Sequence, residues 1–148
     1  MNANASMLII AALVAAPLVL TAPAAADVAT EPTVVALDSE TSVGGMPVAC
    51  TGIGQTKLDP RWSSYPVRVE LSDAQDKYVA DGAITLRDAH GKTLLSVQCA
   101  GPWILLKPAP GAYTVEGWLP GVSAKPRSAR FKPPAQGQMR VVLKFPDV

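Results

Sequence analysis

The sequence predicts an all-β protein, a β-sandwich of seven strands that follows a cleaved export segment. Three observations carry that expectation. The 11 glycines, and all of the 14 prolines except Pro17 and Pro23, are spread over the chain after Ala26, so helices of ordinary length have almost nowhere to fit. Between these breakers, short segments alternate apolar and polar residues with a period of two, as half-buried strands do. The segments recur at intervals of about 8–12 residues, the spacing of an antiparallel sandwich.

The N-terminal segment is of a different kind. Met7 to Leu20 is apolar and interrupted only by Pro17, and Ala24-Ala25-Ala26 follows as a small-residue cleavage site before the first charge, Asp27. Met1 to Ser6 carries no Lys or Arg, so the segment before the apolar run is weaker than usual for an export signal. The alternative is an uncleaved anchor, but at 1.5 Å per residue the run would span only about 21 Å of a ~30 Å hydrocarbon core. Residues 1–26 are therefore expected to be removed on export, leaving a chain that is periplasmic or secreted and does not span a membrane. Asp27 to Thr41 holds Asp27, Glu31, Asp38 and Glu40 and no base. Residues 27–43 are read from this composition as a disordered lead-in, and 44–148 as the sandwich.

Within the sandwich, Val67, Val69 and Leu71 alternate with Arg68 and Glu70 in the first clear strand, and Tyr78-Val79 starts another extended piece after a polar connection. Ala83 to Arg87 and Thr93 to Gln98 form a hairpin around Asp88-Ala89-His90-Gly91, where glycine permits positive φ. Trp103 to Leu106 is too short for a helix and reads as a brief buried strand. Ala112 to Leu119 sets Tyr113 and Val115 against Thr114 and Glu116, and Pro120-Gly121 ends it. Ala124 to Lys132 contains Pro126, which cannot donate to a ladder and so marks an edge strand. Met139, Val141, Leu143 and Phe145 then alternate with Arg140, Val142 and Lys144.

These residues also carry a resemblance. Gly44-Gly45-Met46-Pro47, Gly52-Ile53-Gly54, Tyr65-Pro66-Val67-Arg68-Val69, Tyr78-Val79-Ala80-Asp81-Gly82, Ile84 to Gly91, Gly101-Pro102-Trp103 and Pro110-Gly111-Ala112-Tyr113-Thr114-Val115-Glu116 follow in order. Together they resemble a group of uncharacterised secreted proteobacterial proteins with a carboxypeptidase regulatory-like, or transthyretin-like, domain. The resemblance runs from about Gly44 to Phe145. It implies a prealbumin-like, seven-stranded Greek-key sandwich in the periplasm, and it implies no activity. In those proteins a longer, often helical stretch precedes the first long strand, whereas only Gln55 to Ser64 stands there in this chain.

Charge and residue identity narrow the function classes. Lys and Arg number 13 against 12 Asp and Glu, a formal net charge of +1, which excludes a strongly basic nucleic-acid binder. Two cysteines and one histidine are too few for a Cys₄, Cys₂His₂ or multi-histidine metal site, and no cofactor motif is present. The histidine, His90, falls in a hairpin turn with no nucleophile pattern beside it; as a general base it would need a positioned partner, and the plainer reading is an exposed turn residue. Hydroxyisourate hydrolases resemble this fold but depend on several histidines and a C-terminal Tyr-Arg-Gly-Ser, whereas this chain ends Phe145-Pro146-Asp147-Val148. Gly44-Gly45 and Gly52-Ile53-Gly54 lack the Gly-Lys-Ser/Thr of a phosphate loop. Asp73, Asp76 and Asp81 match no EF-hand spacing and read as solvated turn carboxylates.

The expected function is thus a non-catalytic interaction module of the cell envelope whose partner is an envelope protein or a glycan. A small carbohydrate-binding sandwich is the alternative. Its platform would be Trp62 and Tyr65, beside Arg61 in an irregular segment, if their rings are exposed; otherwise Trp62 packs over the open end of the sandwich core. A second candidate surface is basic. Lys125, Arg127, Arg130, Lys132, Arg140 and Lys144 lie between Gly117 and Pro146 with no acid among them. Period two puts Arg127 on one face of its strand and Arg130 and Lys132 on the other, so these charges either attract an anionic envelope component or guard a strand edge. Finally, Cys50 and Cys99 are the only cysteines of an exported chain, where a disulfide forms and persists; two buried thiols are the alternative.

Overall fold

In the computed structural model, described here for residues 31–148, the chain forms two five-stranded sheets packed face to face. The export segment 1–26 and its cleavage site lie outside the described residues. The strands are β1 (Thr33–Val35), β2 (Ser39–Val43), β3 (Met46–Thr51), β4 (Val67–Asp73), β5 (Ala83–Asp88), β6 (Thr93–Cys99), β7 (Trp103–Leu106), β8 (Tyr113–Trp118), β9 (Arg127–Phe131) and β10 (Met139–Phe145). Two short 3₁₀ helices, Thr56–Leu58 and Pro60–Ser64, fill the connection before β4. The first sheet runs β1-β6-β5-β8-β9 and the second β10-β4-β7-β3-β2.

The inner positions of the strands supply the core. Val67, Val69 and Leu71 of β4, Ile84 and Leu86 of β5, Leu95 and Val97 of β6, Ile104 and Leu106 of β7, Val115 of β8 and Val141, Leu143 and Phe145 of β10 form one buried cluster. Each contributes on the order of 1.5–3 kcal/mol by leaving water. Strands β4 to β10 are the seven read from the sequence, six from alternation or extended pattern and β7 from its short apolar run. Tyr78 adds no strand; it makes one isolated bridge to Ser72.

Three expectations are corrected. The strand number is ten rather than seven, and the three additional strands all come from residues 33–51. Within the expected disordered lead-in 27–43, β1 pairs in parallel with β6, Thr33 opposite Val97, and β2 pairs antiparallel with β3, Ser39 opposite Cys50. The acid-rich composition misled because β2 buries no side chain and β1 only Val35; backbone pairing and local anchors hold them. The Thr51 hydroxyl donates to Asp38 Oδ1 at 2.7 Å, and Arg61 Nη2 donates to the Asp38 carbonyl at 3.3 Å. Gly44 and Gly45, with φ of 58° and 79°, form the two-residue loop of the β2–β3 hairpin, which needs positive φ at both positions. The sheets are also mixed rather than antiparallel throughout, since β10 runs parallel to β4, with Met139 opposite Val67 through Phe145 opposite Asp73.

Cys50 of β3 and Cys99 of β6 are joined by a disulfide, so one covalent bond ties the second sheet to the first. Their Cα atoms are 5.5 Å apart and both residues are buried. The Gly101 amide points at both sulfurs, 3.3 Å from each.

Candidate functional site

Register places the basic residues of the first sheet. Arg87 of β5 stands opposite Thr114 of β8, and Thr114 stands opposite Arg130 of β9. The three side chains therefore lie abreast on the outer face, with neighbouring strands about 5 Å apart. Lys132 follows Arg130 by two residues and shares its face. Arg87, Arg130 and Lys132 line a cavity of about 660 Å³ at the end of the sheet beside the β5–β6 turn. Thr114, Ala112, Tyr113 and Phe131 also line it, the last two with side chains buried in the sandwich core, where their rings stack at 5.7 Å with 25° between planes. The Tyr113 hydroxyl is turned away to donate to the Ala109 carbonyl at 2.6 Å.

Among the described residues, one carboxylate shares this cavity. Asp88 closes the turn, its Oδ1 accepting from the His90 amide at 2.9 Å and the Lys92 amide at 3.0 Å. Among the described residues, the lining thus holds three formal positive charges against one negative. His90 is exposed and is not part of the lining. Such a cavity can hold an anion by charge-assisted hydrogen bonds.

Arg127, the third basic candidate of β9, is not brought to this cavity. It lies on the opposite face, and its Nη2 pairs with Asp147 Oδ2 at 3.2 Å. Two of the three acids considered for calcium are likewise occupied locally. Asp73 Oδ1 accepts from the Gln75 and Lys77 amides, and Asp76 pairs with Lys144 Nζ at 2.8 Å. Among the described residues, no group of three or more His, Cys, Asp or Glu is placed to hold a metal ion.

The aromatic candidates are corrected. Trp62 and Tyr65 are 4% and 3% exposed, so neither offers a ring face to a sugar. Nor does Trp62 cap the open end of the sandwich core. With Ala49 and Leu105 the two rings form a second, smaller core on the outer face of the second sheet. The 3₁₀ segment folds down there because its polar atoms find partners. Trp62 Nε1 donates to the Thr56 carbonyl at 2.7 Å, and Gln138 Nε2 donates to the carbonyls of both Trp62 and Tyr65 at 2.9 Å. Arg61 covers the Trp62 ring at 4.0 Å and Lys107 approaches the Tyr65 ring at 4.8 Å. The Tyr65 hydroxyl donates to Glu40 Oε1 at 2.8 Å, and its pKa is pushed up to about 12, by burial first and then by this carboxylate.

One charged group escapes sequence reasoning. Glu70 alternates with Val69 and Leu71 and so points away from the core as expected, yet it is 1% exposed. Arg140 of β10 reaches it with Nε at 3.0 Å from Oε1 and with Nη2 on Oε2, and Arg68 Nε lies 2.7 Å from Oε1. The Arg68 guanidinium sits 4.3 Å from the centre of the Trp103 ring, and Tyr78 meets that ring edge-on at 5.8 Å. The only sequence signal was Arg68 two residues before Glu70 on one face; Arg140 arrives through pairing with a strand far along the chain.

No helix among the described residues is long and apolar enough to cross a membrane. Compared with models of known families and with curated proteins, the chain matches none.

Proposed function

We propose that the chain is an exported, non-catalytic interaction module of the cell envelope, and that it engages an anionic component through the basic end of its first sheet. The observation that carries this reading is the gathering of the exposed Arg130 and Lys132 at one cavity, with Asp88 as the sole acid among the described lining residues. Exposed cations of one sign attract an anionic partner and orient it. Export to an oxidising compartment, the periplasm or the exterior, is supported by the disulfide between Cys50 and Cys99. The prealbumin-like Greek-key reading of β4 to β10 is supported by their spatial orders, β6-β5-β8-β9 over β10-β4-β7, in which strands adjacent in sequence are exchanged between sheets.

Binding of the exported chain to lipopolysaccharide and to phosphatidylglycerol vesicles, at low and at physiological salt, tests the reading. The wild type binds at low salt and weakens as salt rises, because exposed charges are screened over about 8 Å at 0.15 M. Arg130→Gln with Lys132→Gln removes the salt-sensitive part. A wild-type protein that binds neither material at low salt leaves these residues with edge protection alone and overturns the proposal.

A further inference from the structure

Resting on that reading, we infer that the anionic partner is an acidic polysaccharide chain, seated on the outer face of the first sheet from Arg130 and Lys132 to Trp118. Register builds the seat. Thr114 of β8 stands opposite Arg130 of β9, and Glu116 opposite Ser128. Trp118 follows Glu116 by two residues and shares its face. Gly117 fixes the direction: a Cβ on it would meet Leu143 of the other sheet at 2.6 Å, so its neighbour Trp118 points outward. Ser128, Arg130 and Lys132 are exposed, and Thr114, Glu116 and Trp118 are partly exposed. The outer face of the second sheet differs, because the segment carrying Trp62 and Tyr65 packs on it.

The chemistry changes along this seat. At one end Arg130 and Lys132 bind an acidic group by charge-assisted hydrogen bonds. At the other, Trp118 is the tryptophan that reaches the surface, Trp62 and Trp103 being 4% and 8% exposed. Among the described residues, no hydrogen bond or ion pair engages its Nε1 or the Glu116 carboxylate. An indole packs against the C–H face of a sugar ring and keeps its N–H for a hydroxyl. Glu116 accepts hydrogen bonds from sugar hydroxyls and repels an acidic group placed beside it. The occupant is therefore neutral at Trp118 and acidic at Arg130, which a chain of alternating acidic and neutral sugars satisfies and a uniformly charged polyanion does not. Thr114 to Trp118 covers about 13 Å by the rise of a strand, more than one sugar ring.

Three probes titrated into the exported chain test the inference. Hyaluronan oligosaccharides alternate a uronate with a neutral sugar, polyglutamate has charge without rings, and chito-oligosaccharides have rings without charge. Hyaluronan is expected to bind about tenfold more tightly than either of the others. Trp118→Ala weakens hyaluronan by about tenfold and leaves polyglutamate unchanged, which also shows that the variant is folded, whereas Arg130→Gln weakens both. In the wild type, hyaluronan shields tryptophan fluorescence from acrylamide and polyglutamate does not, and this reads the same contact should Trp118→Ala fail to fold. Hyaluronan binding no tighter than polyglutamate or chito-oligosaccharides, or leaving the tryptophan equally open to acrylamide, overturns this inference. Salt-sensitive binding of lipopolysaccharide or phosphatidylglycerol vesicles then leaves the broader proposal standing. Binding of none of these materials overturns both.

Discussion

Arg140 and Glu70 meet across the parallel pair β10–β4 in a two-point ion pair, in which a carboxylate sealed from solvent faces a guanidinium on the edge strand. Removing one partner of such a pair leaves the other charge poorly compensated. Arg140→Ala is expected to cost about 1–3 kcal/mol, with Arg68 still holding Glu70. Glu70→Ala costs more, because both arginines lose their carboxylate at once. Urea unfolding of the two single variants and the double variant checks this. If the two losses simply add, the pair carries no coupling and the account fails.

The inter-sheet disulfide joins cysteines 49 positions apart in the sequence. In the chain-entropy model closing a loop of that length stabilises by about 4 kcal/mol. Cys50→Ala with Cys99→Ala should therefore lower the unfolding midpoint substantially. Thiol titration of the wild type should detect no free thiol until reductant is added under denaturing conditions, since both residues are buried. Thiols that titrate in native protein without reductant contradict the bridge.

The hairpin between β2 and β3 distinguishes its two glycines. At Gly45 a side chain meets no atom within 4 Å, so alanine costs about 1 kcal/mol, the penalty of left-handed backbone alone. At Gly44 a Cβ would lie 2.5 Å from the Leu94 carbonyl oxygen, so alanine adds a steric clash to the same penalty. Thermal melts of Gly44→Ala and Gly45→Ala should show the first as clearly the less stable; equal midpoints would remove the contact from the argument.

Tyr65 predicts a loss of stability in alkali. Its folded pKa of about 12 lies above the ordinary value of 10.0, so the unfolded chain releases this proton first. The contribution is fully present below pH 10 and disappears as pH rises through 12. Tyr65→Phe should flatten the fall in stability across that window relative to the wild type. Identical pH dependence of the two proteins would show that the hydroxyl is not held as described.

The sequence by itself determined the strands β4 to β10: most bury one face against the core, a demand that writes a period-two pattern into Val67-Val69-Leu71 or Val141-Leu143-Phe145, and β7, buried on both faces, shows as the short apolar run Trp103 to Leu106. It also held a signal for the β2–β3 hairpin, Gly44-Gly45 between Val43 and Met46, which composition obscured: Glu40 of β2 faces outward, and a strand held mainly by backbone hydrogen bonds leaves little apolar pattern. Period two placed Arg130 and Lys132 on one face and Arg127 on the other. Tertiary structure alone decided what they join. Arg87 reaches the same cavity because β5 and β9 both pair with β8 in a fixed register, Arg140 reaches Glu70 because the last strand pairs with the first of the seven, and Gln138 pins the segment that buries Trp62 and Tyr65. Each of these contacts joins residues distant in the chain, and no local periodicity records which strand will lie beside which.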